Sequence, residues 1–190
     1  MDLVQNGGKN YFGVIALKYL LLYWSDCSNI TAQLLKMNRN TAHNLLKLIA
    51  LLWLIWGAVH IFAGGITMYQ VSIGDISAAV GGIADAVDPA SLQRDYPAAS
   101  GAIISQHGFN LLWIGLITFI AAFLIWQRNR TALWLAALVG GLADLGYFLF
   151  LDLGGFVHFL PGTLMTLISG SAILLSLYVN SNRGRSKIFD

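Results

Sequence analysis

Residues 48–69 read LIALLWLIWGAVHIFAGGITMY, and this stretch decides the class of fold. It contains no Asp, Glu, Lys or Arg, and an apolar run of about 18 residues or more is typical of a helix that crosses a membrane. A spanning segment must be helical, because an open strand cannot satisfy its backbone polar groups in lipid. The stretch therefore predicts an integral membrane protein.

Three further stretches are similarly apolar, namely residues 109–126, 132–151 and 163–179, and their one charged residue is Asp144. The 190-residue chain is 57% hydrophobic and only 11% charged, which a water-soluble core cannot accommodate. At about 1.5 Å per residue each stretch can cross about 30 Å of hydrocarbon, the shorter ones with help from flanking residues. We therefore predict an all-α membrane protein whose four transmembrane helices form a bundle.

The basic residues alternate between the two ends of the predicted spans. Those before the first span, between the second and third, and after the fourth are Lys36, Arg39, Lys47, Arg128, Arg130, Arg183, Arg185 and Lys187. The long segment 71–100 holds Arg94 and the carboxylates of Asp75, Asp85, Asp88 and Asp95. Because Lys and Arg gather in cytoplasmic loops, both termini are predicted to be cytoplasmic and residues 71–100 to lie outside. Three or five spans would put one basic group on the wrong side.

The first 36 residues have two interpretations. Residues 11–24 are apolar but too short to span, and they contain Lys18 near their middle. They also lack the small-residue cleavage site of a signal peptide. The segment 1–36 is predicted to be either an interfacial helix lying flat on the membrane or a non-native upstream extension, with natural translation starting at Met37.

A helical pattern lies in the extracytoplasmic loop, residues 71–100. Apolar residues recur there at spacings of four, three and four, at Ile76, Val80, Ile83 and Val87. This is one face of a helix, with Asp75, Asp85 and Asp88 around it, and Pro89 would end it. We predict a short amphipathic helix in the loop.

Small and polar residues mark the inward faces of the spans. Helices in lipid associate through small residues and polar contacts. Gly57, His60 and Gly64 lie together on the first span. The third span offers a stripe of Ala132, Ala136, Gly140, Asp144 and Tyr147. These faces are predicted to point inward, while Leu, Ile, Phe and Trp on the opposite faces meet lipid.

Asp144 and His60 are the two ionisable residues that stand out inside the spans. An Asp near the middle of a helix costs about 2.5–3.5 kcal/mol on insertion scales, so Asp144 needs a partner or a proton. The partner could be His60, Tyr147 or a group on a neighbouring helix that fixes the packing. Alternatively, the residues form an outward-facing pocket that binds or moves a small ligand or a proton. The pocket residues would be His60, Asp144, Tyr147, His107 and Asn110.

A metal or haem site is a further alternative. His60, His107 and His158 could converge, with Asp152 as an additional ligand, and the protein would then be a membrane oxidoreductase. No HxxxH, HExxH or CxxCH motif is present, and the single Cys27 fits no metal-binding spacing. The sequence therefore specifies no cofactor.

The expected partners follow from the same features. The basic residues form no patch of the kind that binds nucleic acid, so the bilayer is the expected surroundings. The layout of short spans with small soluble parts resembles that of many small bacterial inner-membrane proteins, without a shared motif that would imply an activity. A third hypothesis makes the chain an accessory subunit of a membrane complex, or a homo-oligomer, with Asp144 and His60 serving only in packing.

Overall fold

The computed structural model describes residues 39–181. In chain order its helices are α1 (Arg39–Ser72), α2 (Ile76–Ile83), α3 (Pro89–Leu92), α4 (Ala98–Trp126), α5 (Arg130–Tyr147) and α6 (Leu164–Ser181). One π-helical turn, Phe148–Asp152, extends α5, and a second, Phe159–Thr163, leads into α6. The predictions for residues 1–36, and the basic residues after residue 181, lie outside the described residues.

Four helical segments are long and apolar enough to cross a membrane. They are Arg39–Ser72, Ala98–Trp126, Arg130–Asp152 and Phe159–Ser181. Residues 39–181 contain no β-strand. The prediction of an all-α membrane protein with a four-helix bundle is therefore confirmed.

The helices extend beyond the predicted spans. The 34 residues of α1 make a helix about 50 Å long at about 1.5 Å per residue, well over the thickness of hydrocarbon. Helix α4 begins at Ala98, directly after Pro97, rather than near residue 109. Residues 98–108 include Ser, Gly, Gln and His, which continue the helix but lower the hydropathy from which a span is recognised.

The four long helices pack in a ring, in which α1 and α5 each contact α4 and α6. The closest approach is between α1 and α4, where Gly57 faces Gly115 and Gly64 faces Gly108. A Cβ atom at Gly57 would lie 2.8 Å from the Gly115 carbonyl oxygen, and one at Gly115 would lie 2.7 Å from the backbone nitrogen of Ile61. The two antiparallel backbones are therefore in direct contact, as small residues allow in lipid.

Two tryptophans fill the centre of the bundle beside this contact. Trp53 and Trp56 have no exposed surface, and their rings meet edge to face with centroids 5.8 Å apart. Gly140 of α5 makes room for the Trp53 ring, which a Cβ there would strike. The prediction that the tryptophans face lipid is wrong for these two, because Trp56 lies one turn before His60 and so shares its inward face.

The loop of residues 71–100 contains a short helix at the predicted place, which is α2. Asp75 caps it by accepting a hydrogen bond of 2.9 Å from the Ala78 backbone nitrogen. The helix ends at Ile83, before Val87, and Pro89 begins the next helix instead of ending this one. Proline is favoured in a first helical turn, where its missing N–H has no partner to lose.

The two ends of the bundle differ in charge. The turn between α4 and α5 lies beside the start of α1, so one end carries Arg39, Lys47, Arg128 and Arg130. We call this the basic end. The opposite end carries the loop that follows α1 and the hairpin between α5 and α6, and we call it the acidic end. Its charged residues are Asp75, Asp85, Asp88, Arg94, Asp95 and Asp152.

The contact between α1 and α4 can be tested with two adjacent glycines. We expect Gly64→Ala to lower the free energy of unfolding by about 1–3 kcal/mol, because the new methyl group overlaps the backbone of α4. Gly65→Ala is the matched control, since a Cβ there meets nothing within 4 Å. Thermal unfolding in mild detergent measures both variants. Equal melting temperatures for the two would contradict the packing described here.

Candidate functional site

A cavity of about 330 Å³ lies between the four long helices in the half of the bundle nearest the acidic end. Its volume is at the lower end of the range of about 300–1,000 Å³ that is usual for small-molecule sites. The polar residues that line it are His60, Thr67 and Gln70 of α1, His107 of α4, and Asp144 and Tyr147 of α5. We call it the central cavity.

The fold brings together four of the five residues predicted for the pocket. His60, His107, Asp144 and Tyr147 all line the central cavity. Asn110 does not, and its side-chain oxygen accepts a hydrogen bond of 3.1 Å from the Trp113 indole on the exposed side of α4. Leu111, four residues after His107 and therefore nearly above it on the helix, lines the wall instead.

Asp144 joins three helices. It is 4% exposed and receives one hydrogen bond of 3.2 Å from the indole nitrogen of Trp56 on α1. Its other carboxylate oxygen accepts from the Ser169 hydroxyl on α6. Of the expected partners, the structure thus provides groups on neighbouring helices rather than His60 or Tyr147. Because α1 lies across the ring from α5, this carboxylate ties the bundle together through its middle.

Trp56 also sets the position of His60. The imidazole lies flat on the Trp56 indole, with ring centroids 3.6 Å apart and planes 20° apart. Its Nδ1 atom lies 2.8 Å from the Trp56 carbonyl oxygen. A carbonyl can only accept, so Nδ1 is the donor of this bond, and in the neutral form of the ring Nε2 is then an acceptor. The spacing of four residues between Trp56 and His60, which places both on one helix face, is the sequence feature that indicates this contact.

The two connections at the acidic end close the top of the central cavity. Gly82 and Ile83 of the loop after α1 line it, as do Pro161 and Gly162 of the hairpin before α6. The loop is attached to the hairpin by two hydrogen bonds. The His158 backbone nitrogen donates to the Asp85 carboxylate at 2.7 Å, and the Ala86 backbone nitrogen donates to the Phe156 carbonyl at 3.1 Å.

Gly162, which follows Pro161 in the hairpin, makes space for Tyr147. A Cβ at Gly162 would lie 2.6 Å from the Tyr147 hydroxyl oxygen. The Tyr147 side chain is partly buried and lines the central cavity. Its phenol hydroxyl can both donate and accept a hydrogen bond.

The four residues considered as metal ligands do not form one cluster. His60 and His107 share the central cavity, whereas His158 has an exposed side chain outside it. The Asp152 carboxylate accepts hydrogen bonds from Thr163 at 2.5 Å and Thr166 at 3.1 Å, which holds the start of α6. Within residues 39–181, no three His, Cys, Asp or Glu side chains are arranged to hold a metal ion.

No protein-family model, curated protein or solved structure matches this chain. The class of protein consequently rests on the fold and the cavity themselves. Four apolar helices define a polytopic α-helical membrane protein, and six of its polar side chains line one cavity near the acidic end.

Asp144 can be tested as the tie between helices. We expect Asp144→Ala to lower the free energy of unfolding by about 1–2 kcal/mol, because it leaves the buried Trp56 N–H without an acceptor. Asp144→Asn keeps an acceptor oxygen and should lose less. Thermal unfolding of Asp144→Ala, Trp56→Phe and the double variant forms a cycle in which the two losses should not add. Fully additive losses would contradict the contact.

Proposed function

We propose that this protein binds a small, largely apolar molecule in the central cavity, and that the molecule carries one hydrogen-bond donor. The observation that supports this proposal is the hydrogen bonding of the His60 ring at the cavity wall. Its Nδ1 atom is occupied by the Trp56 carbonyl, so the ring offers Nε2 to the cavity as an acceptor. A bound hydroxyl or N–H group would satisfy it.

The apolar part of the ligand follows from the rest of the wall. Phe62, Ile66, Leu111 and Met165 line the cavity together with the polar residues. A site of this kind takes up hydrocarbon by burial and fixes its orientation through a few polar groups. Phe62 and Ile66 are also 70% and 39% exposed on the outside of the bundle. A route between the cavity and the surrounding lipid would therefore be short.

Binding is favoured over movement of a ligand or proton through the protein. On the side of the cavity toward the basic end, the bundle centre is occupied by Trp53 and Trp56, which are fully buried. Asp144 has both carboxylate oxygens bonded, which suits a fixed structural acceptor better than a proton carrier. The proposal thus divides the roles: Asp144 holds the helices, and His60, with His107 and Tyr147, meets the ligand.

The proposal can be tested by filling the cavity. Ala63 lines it, and Ala63→Phe should exclude a ligand. Ala58→Phe is the matched control, because Ala58 is exposed on the outside of the same helix. His60→Phe removes both ring nitrogens but keeps an aromatic ring that can stack on Trp56. Each variant is purified in mild detergent, extracted with organic solvent, and analysed by mass spectrometry for small molecules.

We expect a compound at near-equimolar amounts in the wild-type and Ala58→Phe extracts. It should fall at least about tenfold in Ala63→Phe, because the cavity is filled. In His60→Phe it should fall about twofold to tenfold, since one hydrogen bond contributes about 0.5–1.5 kcal/mol. Thermal unfolding confirms that the variants are folded. The same compounds in all four extracts would refute the proposal.

We also propose that the basic end faces the cytoplasm of a bacterial cell, with both termini on that side of the inner membrane. The support is the excess of Arg and Lys at that end, which is characteristic of cytoplasmic loops. The central cavity would then lie in the half of the membrane nearest the outer surface.

Cysteine labelling of the full chain tests this orientation. In a Cys27→Ser background, Ser91→Cys places a thiol in the exposed loop and Gln127→Cys places one at the basic end. A membrane-impermeant maleimide should label Ser91→Cys in intact cells, and Gln127→Cys only after lysis. The reverse pattern would invert the orientation.

A further inference from the structure

A second, smaller cavity lies at the basic end. It has a volume of about 90 Å³ and is lined by Arg39, Asn40 and His43 of α1 and by Arg128 from the turn between α4 and α5. We call it the basic pocket. Since a water molecule takes up about 30 Å³, the pocket has room for a group of about three waters, roughly the size of a tetrahedral oxyanion.

The positive charge of the basic pocket is not neutralised by the described part of the chain. The six Asp residues between 39 and 181 are Asp75, Asp85, Asp88, Asp95, Asp144 and Asp152, and all belong to the other half of the bundle. The other cations at this end have their own contacts. Lys47 lies over the Trp126 ring at 5.6 Å, and Arg130 donates to the Asn180 side chain at 3.0 Å. Arg39 and Arg128 thus line the pocket, and no carboxylate from residues 39–181 pairs with them there.

His43, which lines the pocket, also has a polar atom without a partner within residues 39–181. Its Nδ1 atom is buried and has no hydrogen-bond partner among the described residues. A buried polar atom without a partner is costly, and an occupant of the pocket that accepts a hydrogen bond would remove that cost. Two guanidinium groups and an imidazole N–H form a donor set suited to phosphate oxygens.

The backbone conformation of Arg128 also favours a role for its side chain in the basic pocket. Arg128 has a φ of 67°, the left-handed conformation in which glycine is usual at the end of a helix. Hydrogen bonds from the Arg128 and Asn129 backbone nitrogens to Ile125 and Leu124, both 2.8 Å, close the end of α4 there. Glycine would fit this turn with less strain. The backbone therefore does not explain an arginine at position 128, whereas a role for its side chain does.

We propose that the basic pocket binds a phosphate group, supplied by the headgroup of an anionic phospholipid or by free phosphate. The lipid is the favoured source because the pocket lies at a helix end, beside Trp126 and Lys47, residue types that settle at headgroup depth. Basic pockets between transmembrane helices are known sites for such headgroups. This inference is independent of the central cavity and of the orientation of the chain.

The test uses the full chain in an uncharged detergent and measures thermal unfolding against ligand concentration. The probes are dioctanoyl phosphatidylglycerol, dioctanoylglycerol, which has the same chains without the phosphate, and inorganic phosphate against sodium chloride of equal ionic strength. We expect the phospholipid to raise Tm and dioctanoylglycerol to have no comparable effect. Arg128→Gln should weaken the apparent Kd about fivefold to tenfold, in line with one lost cation near a headgroup.

Two variants make the result specific. Arg130→Gln removes the same charge at the same end but outside the pocket, and it should keep the Kd within about twofold. Arg128→Gly should fold at least as stably without lipid, because the left-handed turn suits glycine, yet lose the response to phosphatidylglycerol.

The outcomes separate the sources of the phosphate. A response to the phospholipid alone identifies a lipid site, and an equal, Arg128-dependent response to inorganic phosphate identifies a site for the free anion. The proposal is overturned if Arg128→Gln and Arg130→Gln weaken binding equally, since that is a bulk charge effect. It is also overturned if dioctanoylglycerol stabilises the protein as much as the phospholipid does.

Discussion

Direct contact between the backbones of α1 and α4 is the constraint on which the rest of the structure depends. Lipid tails are as apolar as leucine, so helices gain no hydrophobic energy by meeting and must instead approach closely. Gly57 and Gly64 allow that approach against Gly115 and Gly108. Because both pairs must meet at once, α1 has little freedom to rotate or slide. His60 lies between Gly57 and Gly64 in the chain, so the same contact fixes its position at the wall of the central cavity.

The polar interior is organised around Trp56 once α1 is fixed. The indole N–H bonds to Asp144, the carbonyl oxygen bonds to His60, and the ring stacks on the imidazole. Trp56 thus offsets the cost of burying the Asp144 carboxylate and holds His60 at the cavity wall. A disturbance at this tryptophan would therefore affect both the stability of the bundle and the position of His60.

Part of this architecture could be predicted from sequence, and the remainder depends on facts that sequence does not contain. Apolar length fixed the number of spans, and the cost of Asp144 in lipid showed that it must face inward. The glycines at 108 and 115 repeat the spacing of 57 and 64, but their meaning depends on which helices are neighbours. The prediction of Asn110 in the pocket follows from its depth along the second span. The rotation of α4 about its axis, which turns Asn110 away from the cavity, does not follow from the sequence.

The exposure of Phe62 and Ile66 on both the cavity and the outer surface affects how binding would be measured. A molecule reaching the site from the bilayer is governed by its concentration in lipid, which differs from its concentration in water by its partition coefficient. Each added methylene contributes about 0.8 kcal/mol to partitioning, so it would raise the local concentration roughly fourfold without any new contact with protein. Apparent affinity in water would then depend on the amount of lipid or detergent in the sample. Ranking ligands would require comparison at equal mole fraction in the membrane phase.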